Sequence, residues 1–414
     1  MFRQEELVNS GSFCRFTNAI FVIECRLGEF KLLCQRENMK TATENIQKSI
    51  NPNVAFTSKL YSVLTKEKGN CFYSPVSIQS AMGMCYFGSA TMTEECLRDL
   101  LCLPDQIERT EAFYSELDKE INCEKQEYEL VSSNTIWSQS GFELGEKWTQ
   151  KVKDIIGGEV SVVDFKKPID ACDLINNHCG EVTKGKIPAI IKPDFINKDT
   201  RIVLTNAIYF KGQWKVEFNK NQTRQEKFYS ESGVSSVDMM HRQGNILYFE
   251  HNDFQAVDLP YKGDDLSMMV ILPRDPDCES NVDQNLEKVY SEAVAGLDFT
   301  EVNLNMPKFK VETEYSLKGK FQDMGAGLAF SNDADFSGIS DKETLKISAI
   351  VHKAFVECDE KGTEAAAATA IGMVRTCSIP RPPKIFNANH PFTFFIRNKN
   401  SGKILFCGKV SNFD

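Results

Sequence analysis

The side chains in this sequence that are best suited to covalent chemistry belong to fourteen cysteines and five histidines. A thiol beside an imidazole can act as a nucleophile, and thiols together with imidazoles can bind zinc. However, none of the histidines lies in a G-x-S-x-G, H-E-x-x-H or Walker-type motif. Cys172, His178 and Cys179 are residue types that bind zinc, but a second pair at ligand spacing is missing. The sequence therefore predicts no enzyme activity, no metal ion and no cofactor.

One segment, Val356 to Pro380, combines conflicting preferences for helix and strand; its sequence is VECDEKGTEAAAATAIGMVRTCSIP. Its alanine run favours helix, but the following Thr369, Gly372 and Pro380 oppose a long helix. As an extended strand, the segment places small and then apolar side chains on one face, those of Thr363, Ala365, Ala367, Thr369, Ile371 and Met373. Nothing bulky lies on the other face, so the segment can be inserted between two existing strands. From these residues alone, a surface helix or linker explains the segment equally well.

The start of this segment, EKGTEAAAAT at residues 360–369, belongs to a wider set of motifs. The companion motifs are FYSPVSIQSAM at 72–82, SSNTIW at 132–137, EVTKGKI at 181–187, TNAIYFKGQWKVEF at 205–218, DLPYKGDDLSMMVILP at 258–273, MPKFKVETEYSL at 306–317 and NHPFTFFI at 389–396. Together they resemble the serpins, and among these the inhibitory ovalbumin-type (clade B-like) and arthropod intracellular members. The resemblance extends from near Asn53 to the C-terminus.

The resemblance implies a single-domain α+β fold with three β-sheets, about eight or nine helices and an exposed reactive-centre loop. It also implies that a serine protease attacks the chain as a substrate and becomes its partner in a covalent complex. In serpins the cleaved loop then inserts into the central sheet, carries the acylated protease to the opposite pole and distorts its active site before deacylation. In this suicide-substrate mechanism the inhibitor supplies no catalytic residue.

The resemblance assigns three groups of residues to this mechanism. The hinge of the loop comprises Glu360, Gly362, Thr363, Glu364, Ala365, Ala366, Ala367, Ala368 and Thr369. Trp214, Lys308 and Glu360 match the breach, at the top of the opening in the sheet. Ser74, Ser77, Asn206 and His352 match the shutter, a polar cluster beneath the point where the strands must part. Without the resemblance, the same residues are explained by ordinary packing, surface ion pairs and satisfied polar groups.

The bond that a protease would cleave lies near Arg375, Thr376 and Cys377. Counting by the family's convention from Glu360 gives Thr376-Cys377, whereas an exposed arginine fits the pocket of trypsin-like proteases. We therefore expect trypsin-like proteases to cleave Arg375-Thr376, with Thr376-Cys377 as the alternative. Further alternatives are inhibition of chymotrypsin-like, elastase-like or cysteine proteases, and a non-inhibitory serpin that acts as a carrier or chaperone.

Length and composition limit the other functions. With 414 residues and 42% hydrophobic content, the chain can form one large core, and we predict a serpin domain at 51–414. Residues 1–50 are predicted to form an N-terminal extension, with Met39 as an alternative start. The net charge of -10 opposes nucleic-acid binding, and no apolar run reaches the roughly 20 residues of a membrane helix. We expect a monomer.

Two cellular locations fit the sequence. The cysteines show no paired spacing, which favours free thiols in a reducing, cytoplasmic compartment. Asn221-Gln222-Thr223 is an acceptor triplet for N-glycosylation, which would be used only if the chain were secreted. We expect the cytoplasm, because no convincing signal segment is present.

Hydrophobic periodicity predicts the elements that must position these residues. Helices are predicted from Asn53 to near Gly69, and over three later ranges, Glu94–Leu103, Arg109–Ile121 and Lys147–Ile156. Beyond Asp199, short β-branched and aromatic runs predict mainly sheet. A late helix is predicted near Leu317–Met324, and residues 391–398 and 403–410 predict a final hairpin.

Overall fold

The computed structural model describes residues 51–121, 127–197, 199–342, 344–363 and 382–413. This part of the chain contains nine α-helices. They are α1 (Pro52–Leu64), α2 (Pro75–Tyr86), α3 (Thr91–Leu101), α4 (Ile107–Ile121), α5 (Glu146–Lys151), α6 (Pro168–Val182), α7 (Pro276–Gln284), α8 (Leu286–Gly296) and α9 (Leu317–Phe321). Helices α5 and α9 continue into π-helical turns at Val152–Ile156 and Gln322–Ala326. None of the described helices is long and apolar enough to span a bilayer.

Six strands form the smaller of two sheets. Their order across the sheet is β10 (Phe309–Ser316), β11 (Ala349–Asp359), β12 (Gly362–Thr363), β4 (Ile202–Gln213), β2 (Tyr128–Gln139) and β3 (Glu159–Val163). Strands β4 and β11 also pair directly with each other, in parallel. The two-residue strand β12 is antiparallel to both of them.

Nine strands form the larger sheet. Its order is β1 (Cys71–Tyr73), β15 (Ile404–Val410), β14 (Phe392–Asn398), β8 (Leu266–Pro273), β7 (Phe254–Pro260), β6 (Gly233–Glu250), β9 (Asp298–Pro307) and β13 (Lys384–Asn387), while β5 (Arg224–Ser230) pairs with β6. Strand β6 is 18 residues long and pairs with β5 and β9 before it reaches β7. Two of the three expected sheets are therefore continuous through β6 in the described residues.

Two hydrophobic cores lie on opposite faces of the smaller sheet. The larger core joins that sheet to the nine-stranded sheet and to α1 and α2. The smaller core, under α6, contains Trp137, Val163, Phe165, Ala171, Cys172, Ile175, Cys179, Ile187, Ile190, Ile191, Ile196, Val203, Ala207 and Val351. Side chains alternate along a strand, so Val203 and Ala207 of β4 face α6, whereas Leu204 and Ile208 face the larger core.

Helix α2 is buried along its whole length, directly after β1. Ser74 caps it, because the Ser74 Oγ accepts a hydrogen bond from the backbone N of Ser77 at 3.3 Å. Pro75 occupies the first turn, where a backbone amide has no partner within the helix. This start fixes Ser74 and Ser77 against the smaller sheet.

The α+β fold is confirmed, and so is the final hairpin, as the antiparallel pair β14 and β15. Helix ends differ from their predicted positions. Helix α1 ends at Leu64 rather than near Gly69, because the polar residues 65–68 follow its last apolar residue. Helix α3 begins at Thr91, ahead of Glu94. Helix α9 changes to a π-helical turn after Phe321.

Candidate functional site

Gly362 and Thr363 of the predicted hinge lie inside the smaller sheet as β12. On one side, Gly362 pairs with Gln213 and Thr363 pairs with Gly212 of β4. On the other side, β12 pairs with the last two residues of β11. Both residues of β12 are buried. Gly362 and Thr363 therefore lie in a gap between the C-terminal end of β4 and the C-terminal end of β11.

Below β12 the gap closes, because β11 and β4 pair directly with each other. The contact runs from Ala349 opposite Val203 to Phe355 opposite Tyr209. We call this line of contact, residues 349–355 against 203–209, the seam. The seam is parallel, and its two strands differ in sequence position by a constant offset. A strand that entered here would have to separate β4 from β11 along the seam.

Gly362 is required where the hinge enters the sheet. Its φ angle is +152°, and a Cβ added there would lie 2.1 Å from the carbonyl oxygen of Gly212. The side chains of other residues essentially never approach a backbone oxygen so closely, and they disfavour this φ. A glycine at 362 therefore permits β12 to pack against β4.

Trp214 holds the turn between β11 and β12. Its side chain is almost fully buried, and its Nε1 donates a hydrogen bond to the carbonyl of Asp359 at 3.0 Å. Its backbone N donates to the carbonyl of Lys361 at 2.8 Å. The indole ring stacks on Tyr261, with 4.6 Å between ring centroids and 11° between planes. The turn is thus bound to a buried aromatic pair.

Glu360 lies in the same turn and makes polar contacts on both carboxylate oxygens. Its Oε2 is 3.2 Å from Lys308 Nζ, and its Oε1 accepts a hydrogen bond from Thr223 Oγ1 at 2.8 Å. Burial by itself raises the pKa of this carboxyl group, but its backbone, Thr223 and Lys308 contacts together hold the pKa below the ordinary value. The carboxylate is therefore charged and anchors the turn to Lys308.

The four predicted shutter residues come together from α2, β4 and β11. Asn206 is central, since its Oδ1 contacts Nδ1 of His352 and its Nδ2 donates to the carbonyl of Ser77 at 3.0 Å. The same Nδ2 contacts Ser77 Oγ and Asn134 Oδ1. Ser74 donates through its backbone N to His352 Nε2 at 3.1 Å and through Oγ to a β15 carbonyl at 2.7 Å. The contact between Asn206 and His352 crosses the seam.

His352 is neutral in this cluster. It is fully buried, and burial lowers the pKa of its imidazole to about 3. The backbone N–H of Ser74 points at Nε2, so Nε2 is the acceptor and the ring proton is on Nδ1. That proton is directed at Asn206 Oδ1. The seam is therefore crossed by a hydrogen bond between two uncharged side chains.

Several predicted site residues lie outside the described residues, namely Glu364, Ala365, Ala366, Ala367, Ala368 and Thr369 of the hinge, and Arg375, Thr376 and Cys377 of the reactive bond. The structure also adds residues that sequence reasoning missed. Asn134 joins the shutter, while Tyr261 and Thr223 contact the hinge. Asn134 and Tyr261 lie in the motifs SSNTIW and DLPYKGDD, but their partners are distant in sequence. In the sequence, Thr223 stands out only as part of the glycosylation triplet.

The fold and this site define a class of protein. Its sheet holds the start of one chain segment between two strands that remain paired with each other below. The site is therefore characterised by a short strand that begins between two strands of one sheet.

Comparison with known proteins names the class. A family model described as Serpin (serine protease inhibitor) matches residues 51–413. An uncharacterized serpin-like protein of Thermococcus kodakarensis is 39% identical over 367 residues, which cover 88% of this chain and 85% of that protein. The leukocyte elastase inhibitor of Homo sapiens is 35% identical over 374 residues, 87% of this chain and 98% of its own. The solved structure of Serpin48, a highly specific serpin of the insect Tenebrio molitor, has a TM-score of 0.78 at 32% identity and covers 88% of this chain and 98% of its own. The chain belongs to the serpin family.

Proposed function

We propose that this protein inhibits serine proteases by a suicide-substrate mechanism, in which the chain is cleaved near Arg375 and the segment that follows Thr363 is then inserted into the seam. The observation that carries the proposal is the register of β12. Strand β12 pairs with β11 and with β4 at once, although these two strands pair with each other below it. It has the position of the first two residues of an inserted strand.

Extending β12 requires no change of register. Because β12 is antiparallel to β4, each residue after Thr363 would pair one residue further back from Gly212. Thr369 would then lie opposite Asn206 and, by the same count along β11, opposite His352. Asn206 and His352 already face each other across the seam. Insertion would therefore only have to move β4 and β11 apart.

The side chains of the segment suit this path. Directly opposed residues of antiparallel strands point to the same face, so one set would face the larger core, namely Ala365, Ala367, Thr369, Ile371 and Met373. The first three are small, and the last two would reach Leu204 and Ile202, which already belong to that core. The other set, Glu364, Ala366, Ala368, Ala370 and Gly372, would lie on the face of α6, and beyond Glu364 it contains no bulky side chain.

The same register supports Arg375 as the residue attacked. Met373 would pair with Ile202, the first residue of β4, so that Arg375 would just clear the end of the sheet. The protease serine would attack the Arg375 carbonyl, release the amine of Thr376 and remain as an acyl ester. Twelve residues of extended chain would then carry the protease about 40 Å. The arginine supports a trypsin-like target, whose specificity pocket contains a carboxylate.

The decisive experiment is incubation with trypsin, followed by denaturing electrophoresis and mass measurement of the released peptide. We expect a covalent complex and a C-terminal peptide that begins at Thr376. Arg375→Ala should lower trapping of trypsin by more than about a hundredfold, because the arginine contact in the specificity pocket is lost. A peptide that begins at Cys377 would instead assign the cleaved bond to Thr376-Cys377. A cleaved chain beside fully active protease would favour a non-inhibitory serpin that acts as a carrier or chaperone.

We propose further that residues 51–414 form the inhibitory domain of a monomer, with 1–50 as an extension. A cytoplasmic location is supported by the nine cysteines of the described residues, all of which are free. Asn221 is exposed and within reach of a glycosylating enzyme. The mass of the protein from its natural source separates the two locations, since an attached glycan would establish secretion.

A further inference from the structure

Tyr261 follows β7 and reaches the hinge from the larger core. Its phenol oxygen is 2.7 Å from Oγ1 of Thr363, and both side chains are fully buried. The ring stacks on Trp214 and meets Phe210 edge-on, with 5.0 Å between the centroids of the latter pair. The ring is thus held by aromatic contacts, and its hydroxyl has a fixed place beside Thr363.

The two hydroxyls depend on each other. Within the residues that the structure describes, each makes its only side-chain hydrogen bond to the other. Burial holds the pKa of the Tyr261 phenol well above its ordinary value, so the hydroxyl remains protonated. A buried hydroxyl that loses its partner is penalised, whereas removal of both partners by groups of the same shape is nearly neutral. This pair is therefore suited to a double-substitution test.

We propose that Tyr261 is a positioning residue for insertion, whose hydroxyl fixes Thr363 in the sheet so that the cleaved segment inserts from an ordered end. The inference rests on the proposed function. After acylation, insertion traps the protease while deacylation releases it, and these two steps compete. A loosely held Thr363 would delay insertion without altering deacylation. More inhibitor would then be cleaved without trapping a protease.

The first measurement is the ratio of cleaved to trapped inhibitor with trypsin, for the full chain and for three variants. Tyr261→Phe removes only the phenol oxygen, and Thr363→Val replaces the hydroxyl by a methyl group of similar size. Each should raise the ratio roughly fivefold, the factor for one lost net hydrogen bond. The double variant should return to within about twofold of the parent. Tyr114→Phe is the matched control, because the buried Tyr114 hydroxyl has no partner among the described residues.

The second measurement needs no protease. Amide hydrogen exchange of residues 356–363 in the uncleaved protein reports whether β12 is held in the sheet. Exchange should become roughly fivefold faster in Tyr261→Phe and should be unchanged in Tyr114→Phe. Thermal unfolding of both variants shows whether any change is confined to the hinge.

The outcomes separate this inference from the proposed function. Unchanged ratio and exchange in Tyr261→Phe would overturn the role of Tyr261, and so would a double variant with the combined defect of both single changes. If the parent traps no serine protease, the proposed function fails, and the exchange measurement alone decides whether Tyr261 holds Thr363. Faster exchange would then support the positional role, and unchanged exchange would overturn it.

Discussion

Thr363 is the last described residue of the hinge, and its side chain is fully buried against Tyr261. We predict that Thr363→Arg converts the protein from an inhibitor into a substrate. An arginine at this buried position of β12 would leave an unpaired guanidinium inside the sheet, which costs several kcal/mol, so β12 should not stay in the sheet and trapping of trypsin should fall by at least about a hundredfold. The ratio of trapped to cleaved inhibitor on a denaturing gel measures this. Lys361→Arg is the control, because it changes a neighbouring side chain without reversing its charge.

His352 makes stability depend on pH through the shutter. Its pKa falls from 6.5 to about 3 on folding, so the unfolded chain binds more protons below pH 6.5. The contribution of His352 to the free energy of unfolding is fully present above pH 6.5. It is lost as the pH falls towards about 3, by up to about 1.4 kcal/mol per pH unit. His352→Gln should show a shallower decrease in the free energy of unfolding between pH 6 and 4, measured by denaturant titration. Parallel slopes for the two proteins would contradict a buried neutral imidazole.

At the scale of elements, the seam is the part of the smaller sheet that should change on cleavage. A new strand would bury Ile371 and Met373 in the larger core, and each buried side chain of this size contributes about 1.5 to 3 kcal/mol. We predict that cleavage at Arg375-Thr376 raises the melting temperature by about 3 to 7 °C, the shift that about 3 to 6 kcal/mol produces in a chain of this length. Calorimetry of intact and cleaved protein tests this, with the cleaved Thr363→Arg variant as the control that should not gain. An equal melting temperature before and after cleavage would exclude insertion.

The elements also show what sequence could predict and what it could not. Most hinge and shutter residues were predicted because they lie in short contiguous motifs, such as FYSPVSIQSAM around Ser74 and Ser77. The partners Thr223 and Tyr261 were missed because their contacts to residues 360 and 363 arise only when distant strands pack together. The continuity of two sheets through β6 depends on strand pairing, which periodicity alone does not specify.

At the scale of the whole molecule, the family match begins at residue 51, and the structure describes helix α1 from Pro52. We predict that a fragment of residues 51–414 folds and traps trypsin as well as the full chain does, within about twofold. Its melting temperature should agree with that of the full chain within about 2 °C, because a change of this size corresponds to less than about 2 kcal/mol for a domain of this length. A fragment that loses trapping would assign a role to residues 1–50.

The smaller core beneath α6 contains a cysteine that can report on strand insertion. Val203 and Ala207 lie on one side of the seam and Val351 on the other, yet all three share this core with Cys179. Widening the seam by one strand, about 4.8 Å, must break and rebuild these contacts. Burial raises the pKa of the Cys179 thiol to about 11, which keeps it inert while the sheet is closed. The rate at which a thiol reagent labels Cys179 after cleavage would therefore report when the proposed insertion opens the contact between α6 and the sheet.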